Sequence, residues 1–468
     1  MKPTLLLCSA ICFLMGFCLP AHAQLTFTYN LVDNSQTTAN AANSVTAADF
    51  DGDGDIDIVG ASFQSDVFML YRNDGAGNFS PEIIEDDPAV ANGARFVRAA
   101  DINQDGFMDV IGTSSSADVY LWFQNDGSGF FTTIVIDSGS LANEAYGMDA
   151  ADFNDDGNID LVGGANFGNA VAIYANDGTG TFTLFSNLSG GAITDGVRAV
   201  EVADLDGDTD PDILVAANDG DTYSWFENDG SGIFTNHIIS NSANANGASQ
   251  IKAADLDGDG DLDVVGASNL ADVFLWFEND GAQNFTERII DATTYSDGPR
   301  GVTLTDLDQD GDIDVITASI TQDVFAFYEN DGSGVFSPNL ISDVQAETSG
   351  AFSVTTADVD GDAVEDVIVA ANGADAVGWY KVDGVLNIDE QSFEHGLSLY
   401  PNPVNDVLTI QSNSKTVQEV HLVDMLGKSY PLALTIDHTI SLEGFSAGVY
   451  QLIVISDQGE SVHKIIKR

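Results

Sequence analysis

The sequence of 468 residues has very little positive charge. Only 14 Lys and Arg residues stand against 74 Asp and Glu residues, which gives a formal net charge of −60 at pH 7. Such a polyanion is repelled by nucleic acids and by anionic membrane surfaces, so we expect neither as a partner and expect cations instead. Hydrophobic residues still make up 44% of the chain. That share is enough for a sizeable core and excludes a disordered acidic tail.

Cysteine is almost absent as well. Its three occurrences all fall within the first 24 residues, at Cys8, Cys12 and Cys18. The same segment has Lys2, an apolar run over residues 5–19 and the tripeptide Ala-His-Ala before Gln24, which is the pattern of a secretory signal peptide over residues 1–23. The exported chain is therefore expected to have no disulfide bond and no transmembrane span.

One acidic pattern recurs along most of the chain. Its first Asp returns at steps of 51 or 52 residues, and the seven copies account for residues 24–384. The seven first positions are Asp49, Asp101, Asp152, Asp204, Asp255, Asp306 and Asp358. A fixed period of this length indicates a repeat architecture.

The first six units each carry the signals of four β-strands. An alternating run leads into the acidic loop, a β-branched run leaves it, and a third run ends in an Asn-Asp-Gly turn before a fourth run follows. Asn-Asp-Gly favours a hairpin, so the four strands are expected to be antiparallel. With seven units and no helical periodicity, the sequence predicts an all-β fold, a seven-bladed β-propeller.

The seventh unit has no fourth run of this kind. The missing strand is expected from the other end of the exported chain, residues 25–33, which can pair with residues 377–382. This pairing would complete blade 7 and remove the free edge of the ring.

The acidic loops have oxygen-bearing side chains at positions 1, 3, 5 and 9. In loops 1 to 4 these are Asp49, Asp51, Asp53, Asp57, Asp101, Asn103, Asp105, Asp109, Asp152, Asn154, Asp156, Asp160, Asp204, Asp206, Asp208 and Asp212. In loops 5 to 7 they are Asp255, Asp257, Asp259, Asp263, Asp306, Asp308, Asp310, Asp314, Asp358, Asp360, Asp362 and Asp366. Oxygen ligands at this spacing can surround a hard cation that takes six to eight oxygens, whereas zinc and copper prefer His and Cys, which the loops lack. We therefore predict up to seven structural Ca²⁺ sites.

The sixth loop position predicts which of these sites are weaker. Five loops have glycine there, which suits a turn with positive φ. Thr209 and Ala363 replace it in loops 4 and 7. The sites at residues 204–212 and 358–366 are therefore expected to bind Ca²⁺ more weakly.

These units resemble FG-GAP or VCBS-type repeats, the calcium-loop propellers also found in integrin α-subunits and in some fungal and bacterial lectins. The resemblance covers residues 24–384 and implies a propeller that binds calcium. It does not identify a ligand, because one fold serves many functions.

A second, smaller domain follows the repeats. Residues 385–396 read as a polar linker, and residues 397–468 as short alternating strands, which predicts a small immunoglobulin-like β-sandwich. The stretches LYPNPVND, VDMLGK, SAGVYQL and KIIKR resemble the type A C-terminal sorting domain of type IX secretion substrates. The resemblance implies passage through the type IX secretion machinery, and so an extracellular or outer-membrane-surface location in a Gram-negative bacterium. An ordinary adhesive domain is the alternative.

A second set of repeat-related residues stands six positions before each acidic loop, near the opposite mouth of the propeller. The set comprises Asn43, Arg95, Tyr146, Arg198, Ser249, Arg300 and Phe352. Three arginines and two aromatic residues can form a ring for an anionic or hydroxylated ligand, so we predict ligand binding by Arg95, Tyr146, Arg198, Arg300 and Phe352. The alternative is that each arginine pairs with a nearby carboxylate.

A further set of charges lies three positions later on the same strands. Arg98 with Asp149, and Glu201 with Lys252, place opposite charges on neighbouring blades. We predict that they form ion pairs between blades.

Signals for catalysis are scarce. The repeats contain one histidine, His237, and neither a phosphate-binding loop nor an H-E-x-x-H motif. Carboxylate pairs suited to glycoside hydrolysis are too abundant among so many Asp residues to be informative. The sequence therefore favours a monomeric, secreted or cell-surface propeller that binds a glycan or a protein in adhesion. The alternative is an extracellular polysaccharide-degrading enzyme with its site at the mouth opposite the acidic loops.

Overall fold

The computed structural model describes residues 25–384, 397–400, 404, 407–412, 417–424, 428–435, 439–446, 448–456 and 459–467. The predicted signal peptide and the predicted linker lie outside the described residues. The chain divides into two compact units, Met1–Leu386 and Asn387–Arg468.

The first unit is a propeller of seven antiparallel four-stranded sheets. Blade 1 contains β2 (Ala42–Ala48), β3 (Asp57–Ser62), β4 (Val67–Asn73) and β5 (Phe79–Glu85), and blade 2 contains β6 (Ala94–Ala100), β7 (Asp109–Ser114), β8 (Val119–Asn125) and β9 (Phe131–Asp137). Blade 3 contains β10 (Ala145–Ala151), β11 (Asp160–Ala165), β12 (Ala170–Asn176) and β13 (Phe182–Asn187), and blade 4 contains β14 (Val197–Ala203), β15 (Asp212–Ala217), β16 (Thr222–Asn228) and β17 (Phe234–Ser240). Blade 5 contains β18 (Ala248–Ala254), β19 (Asp263–Ser268), β20 (Val273–Asn279) and β21 (Phe285–Asp291), and blade 6 contains β22 (Pro299–Thr305), β23 (Asp314–Ser319), β24 (Val324–Asn330) and β25 (Phe336–Ser342). Blade 7 contains β26 (Ala351–Ala357), β27 (Asp366–Ala371), β28 (Ala376–Asp383) and β1 (Thr26–Asp33).

Helical structure in the described residues is confined to connections between blades. It comprises short 3-10 turns at Ser140–Ala142, Gly191–Thr194 and Ala243–Ala245 and the single turn α1 (Gln345–Thr348). None of the described helices has the length and apolar character needed to cross a membrane.

The hydrophobic core lies between the blades. The first strand of each blade contacts the first strands of both neighbouring blades, so these strands line the axis of the ring. The second strands are buried along their whole length, because both faces of each sheet pack against a neighbouring blade. Seven apolar clusters each join two adjacent blades. In one of them, Phe68 of blade 1 and Phe123 of blade 2 have ring centres 4.8 Å apart.

The two ends of the propeller meet in blade 7. Strand β1 pairs antiparallel with β28, from Thr26 opposite Asp383 to Leu31 opposite Gly378. This is the pairing expected from the sequence. It gives β28 a hydrogen-bonded neighbour on its outer side, and Tyr29 packs against Tyr380 with ring centres 5.1 Å apart.

A repeated hydrogen bond joins each blade to the next on one side of the ring. An Asp or Asn in the turn between the second and third strands adopts a positive φ of 47–59°, and its side-chain oxygen accepts a backbone N–H of the following blade at 2.6–3.0 Å. The residues are Asp66, Asp118, Asn169, Asp221, Asp272, Asp323 and Asp375. The last of them accepts from Ala41 of blade 1, so the same bond closes the ring.

The second unit is a small β domain of two sheets, in line with the sequence. One sheet has the order β29 (Leu397–Tyr400), β30 (Val407–Ser412), β33 (Thr439–Ser441), and the other has the order β32 (Ser429–Leu432), β31 (Val417–Asp424), β34 (Gly448–Ser456), β35 (Gly459–Lys467). Its buried apolar cluster includes Leu408, Leu422 and Leu452.

The closure of blade 7 predicts the effect of a truncation. A chain that lacks residues 25–33 leaves β28 as an unpaired edge, so we expect a lower midpoint of thermal unfolding and concentration-dependent association. Calorimetry and light scattering measure the two effects. A chain that ends at Gly384 is the control and should keep the propeller midpoint, since it removes only the other unit. An unchanged midpoint in the first truncation would show that β1 does not stabilise the ring.

Candidate cation loops and a candidate anion-binding mouth

The ninth residue of every acidic loop is a fully buried aspartate that joins two parts of its blade. One carboxylate oxygen accepts the N–H of the second loop residue, and the other accepts the N–H of the residue that ends or nearly ends the third strand, at 2.7–3.3 Å. These aspartates are Asp57, Asp109, Asp160, Asp212, Asp263, Asp314 and Asp366, each 0% exposed. Each aspartate therefore joins the acidic loop to the end of the third strand of the same blade.

Burial makes these carboxylates unusually weak acids. Desolvation, opposed by the two N–H donors and assisted by neighbouring loop carboxylates, raises the pKa of Asp57 to about 6, that of Asp212 to about 7 and that of Asp314 to about 8. The ionised form that neutral pH favours in solution is therefore destabilised inside the loops unless positive charge lies nearby.

The first loop residue fixes the turn. One oxygen of its carboxylate accepts the N–H of the sixth residue at 2.8–3.0 Å in all seven loops. Thr209 and Ala363 occupy this sixth position with φ values of 82° and 69°. Both adopt the left-handed conformation that glycine adopts in the other five loops, and a side chain makes that conformation more strained.

The side-chain oxygens of five loops converge closely enough to share one ion. Three carboxylate oxygens lie within 4.8 Å of one another in loops 1, 4, 5, 6 and 7. Four carboxylate oxygens of the loops are also buried without a hydrogen-bond donor among the described residues: Asp51 Oδ1, Asp204 Oδ1, Asp306 Oδ1 and Asp360 Oδ1. A buried, unpaired carboxylate oxygen is costly, and a hard cation would supply the missing partner. The donor set therefore fits Ca²⁺.

Loops 2 and 3 differ because Asn103 and Asn154 stand at the third position. Among the described residues, no group of three converging carboxylates occurs in either loop. The Asn103 amide instead donates to Asp105 at 2.9 Å, and the Asn154 amide donates to Asp160 at 3.1 Å.

A residue of the third strand, one position before the Asn that ends it, also reaches the loops. Arg72 pairs with Asp51 at 2.7 Å in blade 1, and Lys381, the residue before Val382, pairs with Asp360 and Asp362 in blade 7. In blades 4, 5 and 6 the equivalent residue is a glutamate, whose charge adds to that of the loop: Glu227, Glu278 and Glu329. The sequence analysis did not predict a role for this position. An alignment of the seven third strands shows that the residue is basic in blades 1 and 7 and acidic in blades 4, 5 and 6.

The opposite mouth is built by a repeated irregularity in the innermost strands. In each blade the pairing of the first and second strands shifts register at one residue, which leaves a β-bulge. The bulged residues are Asn43, Arg95, Tyr146, Arg198, Ser249, Arg300 and Phe352. A bulge redirects a side chain, and all seven side chains line one cavity with about 540 Å³ of empty space, open solvent included. The five residues predicted to bind a ligand therefore lie together.

The three mouth arginines differ from the other basic residues of the propeller. Residues 25–384 contain eight Lys and Arg residues. Five of them pair with carboxylates: Arg72, Arg98, Lys252, Arg288 and Lys381. Among the described residues, no carboxylate forms an ion pair with Arg95, Arg198 or Arg300. The alternative, in which each of these arginines pairs with a nearby carboxylate, therefore does not hold among the described residues, even in a chain with a net charge of −60.

The mouth arginines are instead held by aromatic rings. The Arg95 guanidinium carbon lies 3.8 Å from the ring centre of Tyr146, and that of Arg300 lies 4.7 Å from the ring centre of Phe352. Arg95 also donates to the Tyr146 hydroxyl. Desolvation and the charge of Arg198, opposed in part by Tyr146, lower the pKa of Arg300 to about 10. Desolvation lowers the pKa of Arg95 as well.

An ion-pair network lies one layer deeper along the same strands. Both predicted pairs are present: Arg98 contacts Asp149, and Lys252 contacts Glu201 at 2.7 Å. Arg98 also reaches Glu201 at 2.6 Å, a contact that the sequence did not predict, and so joins blade 2 to blade 4. Although desolvation opposes the charge, these two carboxylates raise the pKa of Arg98.

Family comparisons match both units of the chain. An FG-GAP-like repeat model matches residues 49–112, 101–163, 152–215, 204–266, 255–317 and 306–369, so that each match spans two successive acidic loops. A model of a secretion system C-terminal sorting domain matches residues 398–468. No curated protein shows significant sequence similarity to the chain.

Solved structures share the fold of the propeller. A catalytically inactive virginiamycin B lyase from Staphylococcus aureus, solved with quinupristin, is 14% identical with a TM-score of 0.52, over 76% of this chain and 99% of that chain. The BBS1N chain of a complex with ARL6DN is 12% identical with a TM-score of 0.51, over 77% of this chain and 98% of that chain. An Agrocybe aegerita lectin specific for non-reducing terminal N-acetylglucosamine is 23% identical with a TM-score of 0.47, over 64% of this chain and 81% of that chain. These similarities concern the fold alone.

The contrast between paired and unpaired arginines predicts opposite effects on stability. Arg98→Gln leaves Asp149 without its ion-pair partner and removes one of the two basic partners of Glu201, which keeps Lys252. We therefore expect a loss of about 2 kcal/mol or more in the free energy of unfolding, less than for a fully buried pair because the Arg98 side chain is 23% exposed. Arg300→Gln removes a desolvated charge that two other arginines repel, and should leave the stability unchanged or raise it. Denaturant titration of both variants measures the difference. A comparable loss in Arg300→Gln would show that this arginine is needed for the fold.

Proposed function

The chain belongs to the FG-GAP-like repeat family and carries a secretion system C-terminal sorting domain, and we propose that it is a secreted, calcium-stabilised binding module whose ligand site is the arginine mouth. Its sorting domain is of the type IX secretion class, which implies export through that machinery and then attachment to the cell surface or release. The finer location, the outer surface of a Gram-negative bacterium, is part of the proposal.

The acidic loops support the calcium part of the proposal. Bound Ca²⁺ would supply the positive charge that the converging carboxylates lack. The first, third and fifth residues would hold it in loops 1 and 5, whereas the first, third and ninth residues would hold it in loops 4, 6 and 7. Loops 4 and 7 would bind more weakly because of the strained Thr209 and Ala363, and in loop 7 Lys381 already neutralises two carboxylates.

The binding role depends on one observation, the three mouth arginines without a carboxylate partner. Basic residues are rare in this chain, and the other five in the propeller neutralise acids. Three guanidinium groups that share a cavity repel one another, and an anion placed between them would remove that repulsion. Stability alone does not favour such an arrangement, so we infer that a ligand does. Carbohydrate is the preferred ligand and protein the alternative.

Nothing at the mouth specifically favours the enzyme alternative. The carboxylates one layer below the arginines, Asp149 and Glu201, are both held by Arg98. A carboxylate fixed in an ion pair is poorly suited to donate a proton to a leaving group. We therefore do not propose an enzyme, and the binding experiment below includes an assay for hydrolysis.

Chelation tests the calcium proposal. Ca²⁺ that binds only the folded state stabilises it by about 2.7 kcal/mol per site at a free concentration 100 times Kd, so EDTA should lower the midpoint of thermal unfolding. Asp257→Asn should reduce the calcium stoichiometry measured by calorimetry. Asp280→Asn is the control, because Asp280 is exposed in a hairpin turn and bonds Asn284 there. If EDTA leaves the midpoint of thermal unfolding unchanged, the calcium does not stabilise the fold. Seven sites of equal affinity would contradict the prediction that loops 4 and 7 bind Ca²⁺ more weakly.

A glycan array tests the binding proposal. Calcium-loaded wild type should bind glycans that the variant Arg95, Arg198, Arg300→Ala does not bind, since the variant removes all the unpaired positive charge at the mouth. A reducing-sugar assay then follows on each glycan that binds. Equal binding by wild type and variant would exclude the mouth as the site, and released sugar would favour the enzyme.

A further inference from the structure

Resting on the proposed function, we infer that the mouth recognises its ligand end-on, through a single terminal carboxylate carried by an otherwise neutral glycan. Such a ligand is a sugar chain that ends in a uronic acid. The inference depends on four features of the mouth: its floor, the N–H groups of its arginines that have no acceptor, its polar side chains and the acidic residues around it.

The floor of the mouth prevents a chain from passing through the ring. Three positions beyond the bulge, Arg98 extends from blade 2 to Asp149 of blade 3 and Glu201 of blade 4, and Lys252 of blade 5 also contacts Glu201. These contacts span four of the seven innermost strands. We infer that a polymer that enters the mouth stops at this layer and so presents its end to the arginines.

The floor also leaves the arginines unneutralised. It contains two positive and two negative side chains that satisfy one another, so it has no net charge to offer the three guanidinium groups above it. A ligand must bring its own negative charge.

Aromatic rings cover one face of two guanidinium groups, so a ligand would contact their N–H groups. Tyr146 covers a face of Arg95, and Phe352 covers a face of Arg300. One N–H group of Arg95 donates to the Tyr146 hydroxyl, whereas the Nε atoms of Arg95 and Arg198 are buried without an acceptor among the described residues. Edge-on N–H groups of arginine match the two oxygens of a carboxylate.

The remaining lining is mixed, and its polar side chains suit a hydroxylated ligand. Besides the arginines, six side chains of the cavity carry hydroxyl or amide groups, namely Asn43, Ser44, Tyr146, Ser249, Gln250 and Ser353, and four are apolar, namely Phe96, Val302, Phe352 and Val354. A peptide terminus brings a side chain that usually needs an apolar pocket, whereas a sugar ring brings hydroxyl groups.

Acidic residues on the mouth's side of the ring limit the anion to the end of the ligand. The turns between the second and third strands carry Asp66, Asp118 and Asp272, and their charge disfavours a polymer that is charged along its length, because salt screens only charges separated by more than about 8–10 Å. A chain with one acidic end and a neutral body gains the arginine contacts and avoids the repulsion.

Isothermal titration with defined sugars tests the inference. Glucuronic acid should bind, glucose should not, and a neutral oligosaccharide capped by one terminal glucuronic acid should bind at least as tightly as the free sugar acid. Oligogalacturonates of increasing length should show constant or falling affinity per chain. Affinity that rises with the number of uronic acids would overturn end-on recognition while leaving an anion-binding mouth in place.

Variants separate this inference from the proposed function. Arg300→Gln should weaken glucuronic acid binding about tenfold or more, as expected for the loss of a charge-assisted hydrogen bond. Arg288→Gln is the matched control, since Arg288 pairs with Glu278 on an outer strand, and should bind as the wild type does. If no sugar acid binds and a peptide with a free terminal carboxylate does, the ligand class is wrong. If neither anion binds, the proposed site itself fails.

Discussion

The ring depends on seven buried carboxylates that each hold an acidic loop to the third strand of its blade. Each of these aspartates receives two backbone N–H groups and is fully buried. Because the same residue is the ninth of its loop, every blade places two to four other acidic side chains of that loop near it in sequence. The fold therefore concentrates negative charge where it also needs tight packing. Other side chains near the loops reduce this charge in some of the blades.

The blades compensate for this charge in different ways. Arg72 and Lys381 place a cationic side chain against the loops of blades 1 and 7, the two blades that meet where the ring closes. Asn103 and Asn154 replace a carboxylate by an amide in blades 2 and 3. Blades 4 to 6 have a glutamate at the position of Arg72 and Lys381, and we propose that bound Ca²⁺ supplies the positive charge there. A chain so poor in basic residues nevertheless has three arginines without a carboxylate partner among the described residues, and this observation is the basis for proposing the mouth as the ligand site.

Much of this architecture could be predicted from the sequence, because it repeats. The spacing of the first loop Asp gave seven blades, and the missing fourth strand of the last unit gave the closure by residues 25–33. The bulge that aims Arg95 and its equivalents into the mouth could not be predicted, because it depends on the register between strands. The absence of acidic partners for the arginines could not be predicted either, because it depends on where the carboxylates lie in three dimensions. The ion pair between Lys381 and Asp360 could not be predicted for the same reason, because it depends on the three-dimensional position of the loop.

Anomalous X-ray scattering tests the division into scaffold and site most directly. A long-wavelength difference map from a crystal that contains both calcium and iodide shows where each ion binds. The account predicts calcium peaks between the loop carboxylates, with the weakest in loops 4 and 7, and an iodide peak among Arg95, Arg198 and Arg300. Loops without calcium, or a mouth without iodide while iodide binds elsewhere, would contradict it.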